Sequence, residues 1–167
     1  YTLTALRLCN KANAVSQLHQ KTLCKMWANQ KNICDIISIS NAQNYTYWHD
    51  EDMYRALKKK DNNALFQKKM LGKQQLFEEV ADQCGEIYDE KICTVVFAKR
   101  FAGYKRADLF FHDMDRFHNL VTNRERPVQI IWAGKPYPMD YAAIGVFDKI
   151  VNICKTYTNC AILIGYE

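Results

Sequence analysis

At 167 residues, about half of them hydrophobic and a quarter charged, the chain has the composition of an ordinary folded domain rather than a disordered segment. Its longest apolar runs, ICTVVFA and CAILIG, fall far short of the roughly 20 residues a membrane span requires, and no signal-peptide pattern is present. The net charge of +5, without a dense basic stripe, does not point to nucleic acid.

The seven cysteines show neither C-x-x-C nor zinc spacing, so no metal is expected. Cys93 and Cys160 sit inside apolar runs, and Cys84 and Cys154 at helix-like positions, where a free thiol behaves as a small hydrophobe. This usage predicts a reducing, cytoplasmic setting without disulfides. The chain starts at Tyr1 rather than Met, which predicts a processed or excised piece of something longer.

In chain order, NAVSQLHQKTLCKMWAN (13–29) reads as a helix and DIISIS (35–40) as a strand. The polar-aromatic stretch NAQNYTYW (41–48) reads as irregular. HDEDMYRALKKK opens on Asp50, Glu51 and Asp52 and ends on lysines, the charge order a helix dipole favours. Its terminal KKK, 58–60, is expected to be a solvated helix end. A further helix is expected over about 63–84, with Leu76, Phe77, Val80, Ala81 and Cys84 as its apolar stripe.

From about residue 90 the pattern becomes regular. CTVVFA (93–98), VQIIWA (128–133) and AILIG (161–165) are short β-forming runs suited to strands covered on both faces. Between them, Phe110, Met114, Phe117 and Val121, then Ala143, Val146 or Phe147, Ile150 and Cys154, recur at helical spacing and predict two crossover helices with core-facing stripes. His112 and His118 fall on different faces and read as structural. Two βαβ units follow. The expected class is α/β, a Rossmann-like parallel sheet with flanking helices, preceded by helical segments.

The stretch FAKRFAGYKRAD places Lys99, Arg100, Lys105 and Arg106 directly after an apolar strand. Ligands of open α/β sheets bind beyond the carboxyl ends of strands. Cations in the first turn of a following helix would oppose its dipole unless an anion sat there. The next strand ends in AGKPYP, bringing Lys135 to the same edge. Arg offers a planar fork to phosphate oxygens and Lys a compact charge, so a phosphate-bearing ligand is expected. Against this, cations after a strand often only snorkel to solvent, and Asp108 could neutralise one of them. No Walker or G-x-G-x-x-G loop indicates a nucleoside triphosphate.

FAKRFAGYKRADLFF and RPVQIIWAGKPYPMD, with TALRLCNKANAVSQLHQKTLCKMW and SNAQNYTYW before them, resemble in order four motifs of the α-glucan (glycogen, starch and maltodextrin) phosphorylases, nearest the short bacterial type. The resemblance covers nearly the whole chain. It implies a transferase of glycogen metabolism with a two-domain GT-B fold, phosphorolysing α-1,4-glucan with inorganic phosphate to glucose 1-phosphate. It also implies pyridoxal phosphate, acting through its 5′-phosphate. By motif position, Arg100 would hold the substrate phosphate and Lys105 the region shared by substrate and cofactor phosphates. Lys99 would sit beside the cofactor phosphate, and Trp48 would pack near the cofactor. His19 and Asn41 would hydrogen-bond the glucosyl unit. Arg106 and Lys135 receive no firm role. Residues 1–41 would end the first, glucan-side domain, and 42–167 would begin the second. A homo-oligomer is compatible with the resemblance; nucleic-acid and membrane partners are not expected.

The sequence departs from the pattern where NGV becomes NAV at Ala14 and TNGVH becomes SNAQN at Ala42 and Asn44. Glycine there would signal positive φ or close backbone approach, which alanine tolerates poorly. The segment carrying the family's cofactor lysine does not occur in this sequence, so the chain alone is expected to be inactive. The alternatives are a nucleotide-sugar glycosyltransferase of the glycogen-synthase type and a non-catalytic glucan- or phosphate-binding remnant.

Overall fold

Ile130, Ile131 and Trp132 are consecutive and all without solvent exposure. Successive strand residues point to opposite faces, so a strand buried in this way must be covered on both. The computed structural model describes residues 1–165; Tyr166 and Glu167, the last positions of the second expected domain, lie outside the described residues. Its architecture is α/β with parallel sheets and flanking helices, an arrangement compatible with a Rossmann-like fold. Contacts divide the chain into two units, residues 1–51 and residue 52 onward.

In the second unit, β3 (Cys93–Ala98), β4 (Val128–Ala133) and β5 (Cys160–Leu163) pair in parallel in that order. The connections carry α6 (Met114–Val121) and α7 (Tyr141–Cys154). Phe117 and Val121 of α6, with Ala143 and Ile150 of α7, close over Ile130, Trp132 and Cys160 on one face. On the other face α5 (Asn62–Cys84) lays Phe77 and Val80, with Tyr88, against Ile131, Ala161 and Leu163. Burying each large apolar side chain contributes on the order of 1.5–3 kcal/mol. Aspartates start the three helices: Asp61, Asp113 and Asp140 accept from the backbone N–H groups of Ala64, Arg116 and Ala143 at 2.9, 2.9 and 3.0 Å. Gly85, at φ 73°, ends α5. Ahead of it, α4 (Glu51–Lys58) ends in the exposed lysines 58–60.

The stretch after β3 departs from the expected crossover helix. Residues Gly103–Lys105 and Leu109–His112 form two short 3-10 turns, and the α-helix begins only at Met114. The reason lies in the sheet. Trp132 donates its indole N–H to the Ala107 carbonyl at 3.0 Å, taking the acceptor an α-helix would give to residue 111. The Phe111 N–H turns instead to the Asp108 carbonyl at 2.9 Å. Met114 is consequently exposed rather than core.

The first unit contains a second parallel pair, of which the strand at 35–40 was expected and its partner was not. After α1 (Thr2–Leu8), β1 (Lys11–Ala14) and β2 (Asp35–Ser38) run in parallel from Lys11↔Asp35 to Ala14↔Ser38, with α2 (Gln17–Met26) between them. The helix therefore starts at Gln17, not at residue 13. Ser16 is extended and accepts the His19 N–H at 3.1 Å, which fixes that start. Gln20 donates to the Ile36 carbonyl at 2.7 Å and ties α2 to β2. Residues 45–48, expected to be irregular, form the short helix α3 (Tyr45–Trp48).

Among the described residues, no helix is long and apolar enough to cross a membrane, and no group of three or more His, Cys, Asp or Glu side chains could hold a metal. All seven cysteines are free thiols.

Candidate functional site

Beyond β3 the chain stays beside β4 after the regular ladder ends. The Lys99 N–H donates to the Ala133 carbonyl at 3.1 Å, and the Phe101 N–H to the Lys135 carbonyl at 3.3 Å. Phe101 and Pro136 form an isolated parallel bridge. Gly134 makes this approach possible: it sits at φ 144°, and a Cβ there would overlap the Lys99 carbonyl oxygen. The glycine of AGK is thus a backbone requirement, and it brings the Lys99–Arg100 segment alongside Lys135.

The loop that follows is anchored from below. Phe101 is 1% exposed, with its ring 5.8 Å from Phe97 and 5.1 Å from Phe147. Ala107, 4% exposed, forms the second anchor through its bond to Trp132. Around these anchors the cations lie at the surface. Lys99, Arg100, Arg106 and Lys135 are exposed and Lys105 is half-buried. Lys105 Nζ lies 4.9 Å from the centre of the Tyr104 ring. The hydrogen bond from Arg100, then the charge of Lys105, hold the Tyr104 phenol below its ordinary pKa. Arg100 and Lys105 therefore converge on Tyr104, a residue the sequence reading did not single out. Its position between the two cationic pairs was the available signal.

Among the described residues, no carboxylate lies within ion-pair reach of Lys99, Arg100, Lys105, Arg106 or Lys135; Asp108 neutralises none of them. The helix-dipole argument for this turn does not hold, because no α-helix begins there. Arg106 adopts a left-handed conformation, φ 55°, rare for a side chain of its size. The site offers an open positive surface, uncompensated among the described residues, that suits an anion.

In the first unit, one residue links His19 and Asn41. The Val15 N–H donates to His19 Nδ1 at 3.3 Å, and the Val15 carbonyl accepts the Asn41 N–H at 3.1 Å. Because Nδ1 accepts, the proton of a neutral His19 resides on Nε2, which becomes an outward donor. Both residues are exposed. Trp48, also exposed, meets Tyr47 edge to face at 5.0 Å between ring centres. Asn44 caps α3, accepting the Tyr47 N–H at 3.2 Å. Neither Ala14 nor Ala42 has positive φ, so alanine brings no backbone strain at either position, and Ala14 is fully buried.

No family model matches the chain. An uncharacterized protein of Methanocaldococcus jannaschii is 44% identical over the whole of this chain, which spans 32% of that protein. The glycogen phosphorylase of Aquifex aeolicus is 29% identical over 92% of the chain and 28% of its own length. The maltodextrin phosphorylase of Thermococcus litoralis is 27% identical over 91% of the chain and 23% of its own length. The chain thus spans about a quarter to a third of these relatives. It is related, over nine-tenths of its length, to glycogen and maltodextrin phosphorylases.

Proposed function

We propose that this phosphorylase-related chain supplies the anion grip of a protein that phosphorolyses α-1,4-glucan to glucose 1-phosphate. The observation that carries the reading is the turn after β3, whose cations have no carboxylate within ion-pair reach among the described residues. Two phosphates brought together repel: unit charges 4 Å apart cost about 4 kcal/mol at the effective dielectric near a protein surface. Several fixed cations offset that cost.

In this reading Arg100 holds the substrate phosphate by its fork, Lys105 lies between the two phosphates, and Lys99 sits beside the second. His19 donates from Nε2, and with the Asn41 amide it orients the glucosyl hydroxyls. Residues 1–41 end the glucan-side domain of the two-domain transferase, and 42–167 begin the other. The implied cofactor is pyridoxal phosphate, and the donor set of the turn suits a phosphate dianion, with Trp48 packing near the cofactor. When bound, it supplies a phosphate that exchanges protons with the substrate's. Its aldehyde-binding lysine is assigned outside this chain, so the chain alone has no turnover.

The test is direct. Inorganic phosphate titrated into the chain at low salt should bind, and Arg100→Gln and Lys105→Met should each weaken binding by about tenfold, the scale of one charge-assisted hydrogen bond. Unchanged binding in the double variant would sink the assignment. With maltoheptaose and phosphate the chain should release no glucose 1-phosphate, whereas a longer protein containing it should. Turnover of ADP-glucose by that protein would favour a nucleotide-sugar transferase instead.

A further inference from the structure

Cys9 and Cys34 are 25 positions apart in sequence, yet their sulfurs lie 3.2 Å apart. The same helix end holds both backbones. The Cys9 N–H closes α1 on the Ala5 carbonyl at 3.0 Å, and the Cys34 N–H donates to the Leu6 carbonyl at 2.8 Å. A disulfide needs about 2.0 Å between sulfurs, so bond formation requires closure of only about 1 Å. Cys9 is exposed and Cys34 half-buried, so a small reagent reaches the first more readily. None of the other five thiols hydrogen-bonds to a thiol among the described residues.

We propose that Cys9 and Cys34 form a reversible dithiol–disulfide couple that exchanges with low-molecular-weight disulfides. The Cys9 thiolate attacks one sulfur of the small disulfide, forming a mixed disulfide and expelling one small thiolate, which takes up a proton. Cys34 then loses its proton and attacks Cys9 Sγ, closing the protein disulfide and expelling the second small thiol. Two protein thiols are oxidised and one small disulfide is reduced to two thiols. The order follows from the pair itself. Cys9 is the more exposed of the two and meets the small disulfide first, and the hydrogen bond with Cys9, ahead of desolvation, raises the Cys34 thiol above its ordinary pKa. The closed bond would staple the end of α1 to the start of β2 and enclose β1, α2 and His19 in one covalent loop.

The experiment equilibrates the native chain in buffers of graded oxidised-to-reduced glutathione, quenches with acid, alkylates the remaining thiols and maps peptides by mass spectrometry. Two thiols should disappear together, the Cys9 and Cys34 peptides should be joined, and dithiothreitol should restore both. The equilibrium constant for this pair should be at least about tenfold larger in native protein than in urea-unfolded protein, since folding holds the sulfurs together. Cys34→Ser should stop at a glutathione adduct on Cys9. Should that variant fail to fold, the wild-type peptide map alone decides. Both thiols remaining alkylatable under oxidising ratios, separate glutathione adducts on each, or pairing of Cys9 with Cys24 as often as with Cys34 would each overturn the proposal.

Discussion

The carbonyl oxygen of Lys99 fills the space that a side chain at Gly134 would need. This contact lets the cationic segment lie against the end of β4. Gly134→Ala would have to push two backbones apart and hold alanine at φ 144°. A loss of about 3 kcal/mol is expected, the scale of a strained and overpacked position. Gly85→Ala is the control: φ is also positive, at 73°, but no atom lies within 4 Å of the added carbon. About 1 kcal/mol is expected there. Urea midpoints of the two variants would measure the difference, and equal losses would refute the close-approach account.

Arg106 occupies a conformation that costs a residue with a Cβ roughly 1 kcal/mol. Arg106→Gly should recover about that much in a denaturation experiment. If the Arg106 side chain serves only as part of the general positive surface, phosphate affinity should fall less than in Arg100→Gln. A larger fall would move Arg106 into direct contact with the anion.

His49 and Glu51 provide a pH signature. The Glu51 carboxylate lies 2.7 Å from His49 Nε2, and this bond, ahead of the Tyr45 carbonyl on Nδ1, raises the imidazole above its usual pKa. A raised folded value favours the protonated form. The stabilisation is therefore complete below the unfolded pKa of about 6.5 and is lost as pH rises through the folded value. Glu51→Gln should shift the His49 NMR titration downward and cost stability at pH 5.5 but little at pH 8.5. An identical cost at both pH values would exclude the linkage.

Gln129, 4% exposed, is spent on the backbone of Asp89, before β3, and on a side chain of β3 itself. It accepts the Asp89 N–H at 2.8 Å and donates to the Asp89 carbonyl at 3.1 Å and to Thr94 Oγ1 at 3.3 Å. Gln129→Leu keeps the shape but leaves the Asp89 N–H without its partner, while the Asp89 carbonyl keeps the Ile92 N–H at 3.1 Å, so a loss of about 1 kcal/mol is expected on thermal or urea unfolding. Amide exchange at Asp89 should accelerate at the same time.

The sequence made the three-stranded sheet and α7 legible because their apolar runs and helical stripes are regular, but it read all three strands as covered on both faces; β4 is, whereas β3, at the edge of the sheet, leaves Cys93, Val95 and Val96 exposed. It missed β1 because KANA has no β-forming pattern; that strand depends on pairing with Ile36 and Ile37 across the chain. It extended α6 too far toward its N-terminus because apolar spacing alone does not reveal that Trp132 claims the Ala107 carbonyl. The cationic turn was conspicuous in the sequence, but its support was not. The φ of Gly134 and the anchor at Phe101 are tertiary facts. The same holds for Ala14 and Ala42, where the negative φ values removed the strain that the loss of glycine implied.

Because β3, β4 and β5 lie side by side in the order in which they leave the ribosome, assembly can proceed by accretion, each arriving segment docking on a template already in place. Among the described strands of this sheet none has to wait for one made much later, so loop-closure entropy is met in instalments rather than all at once.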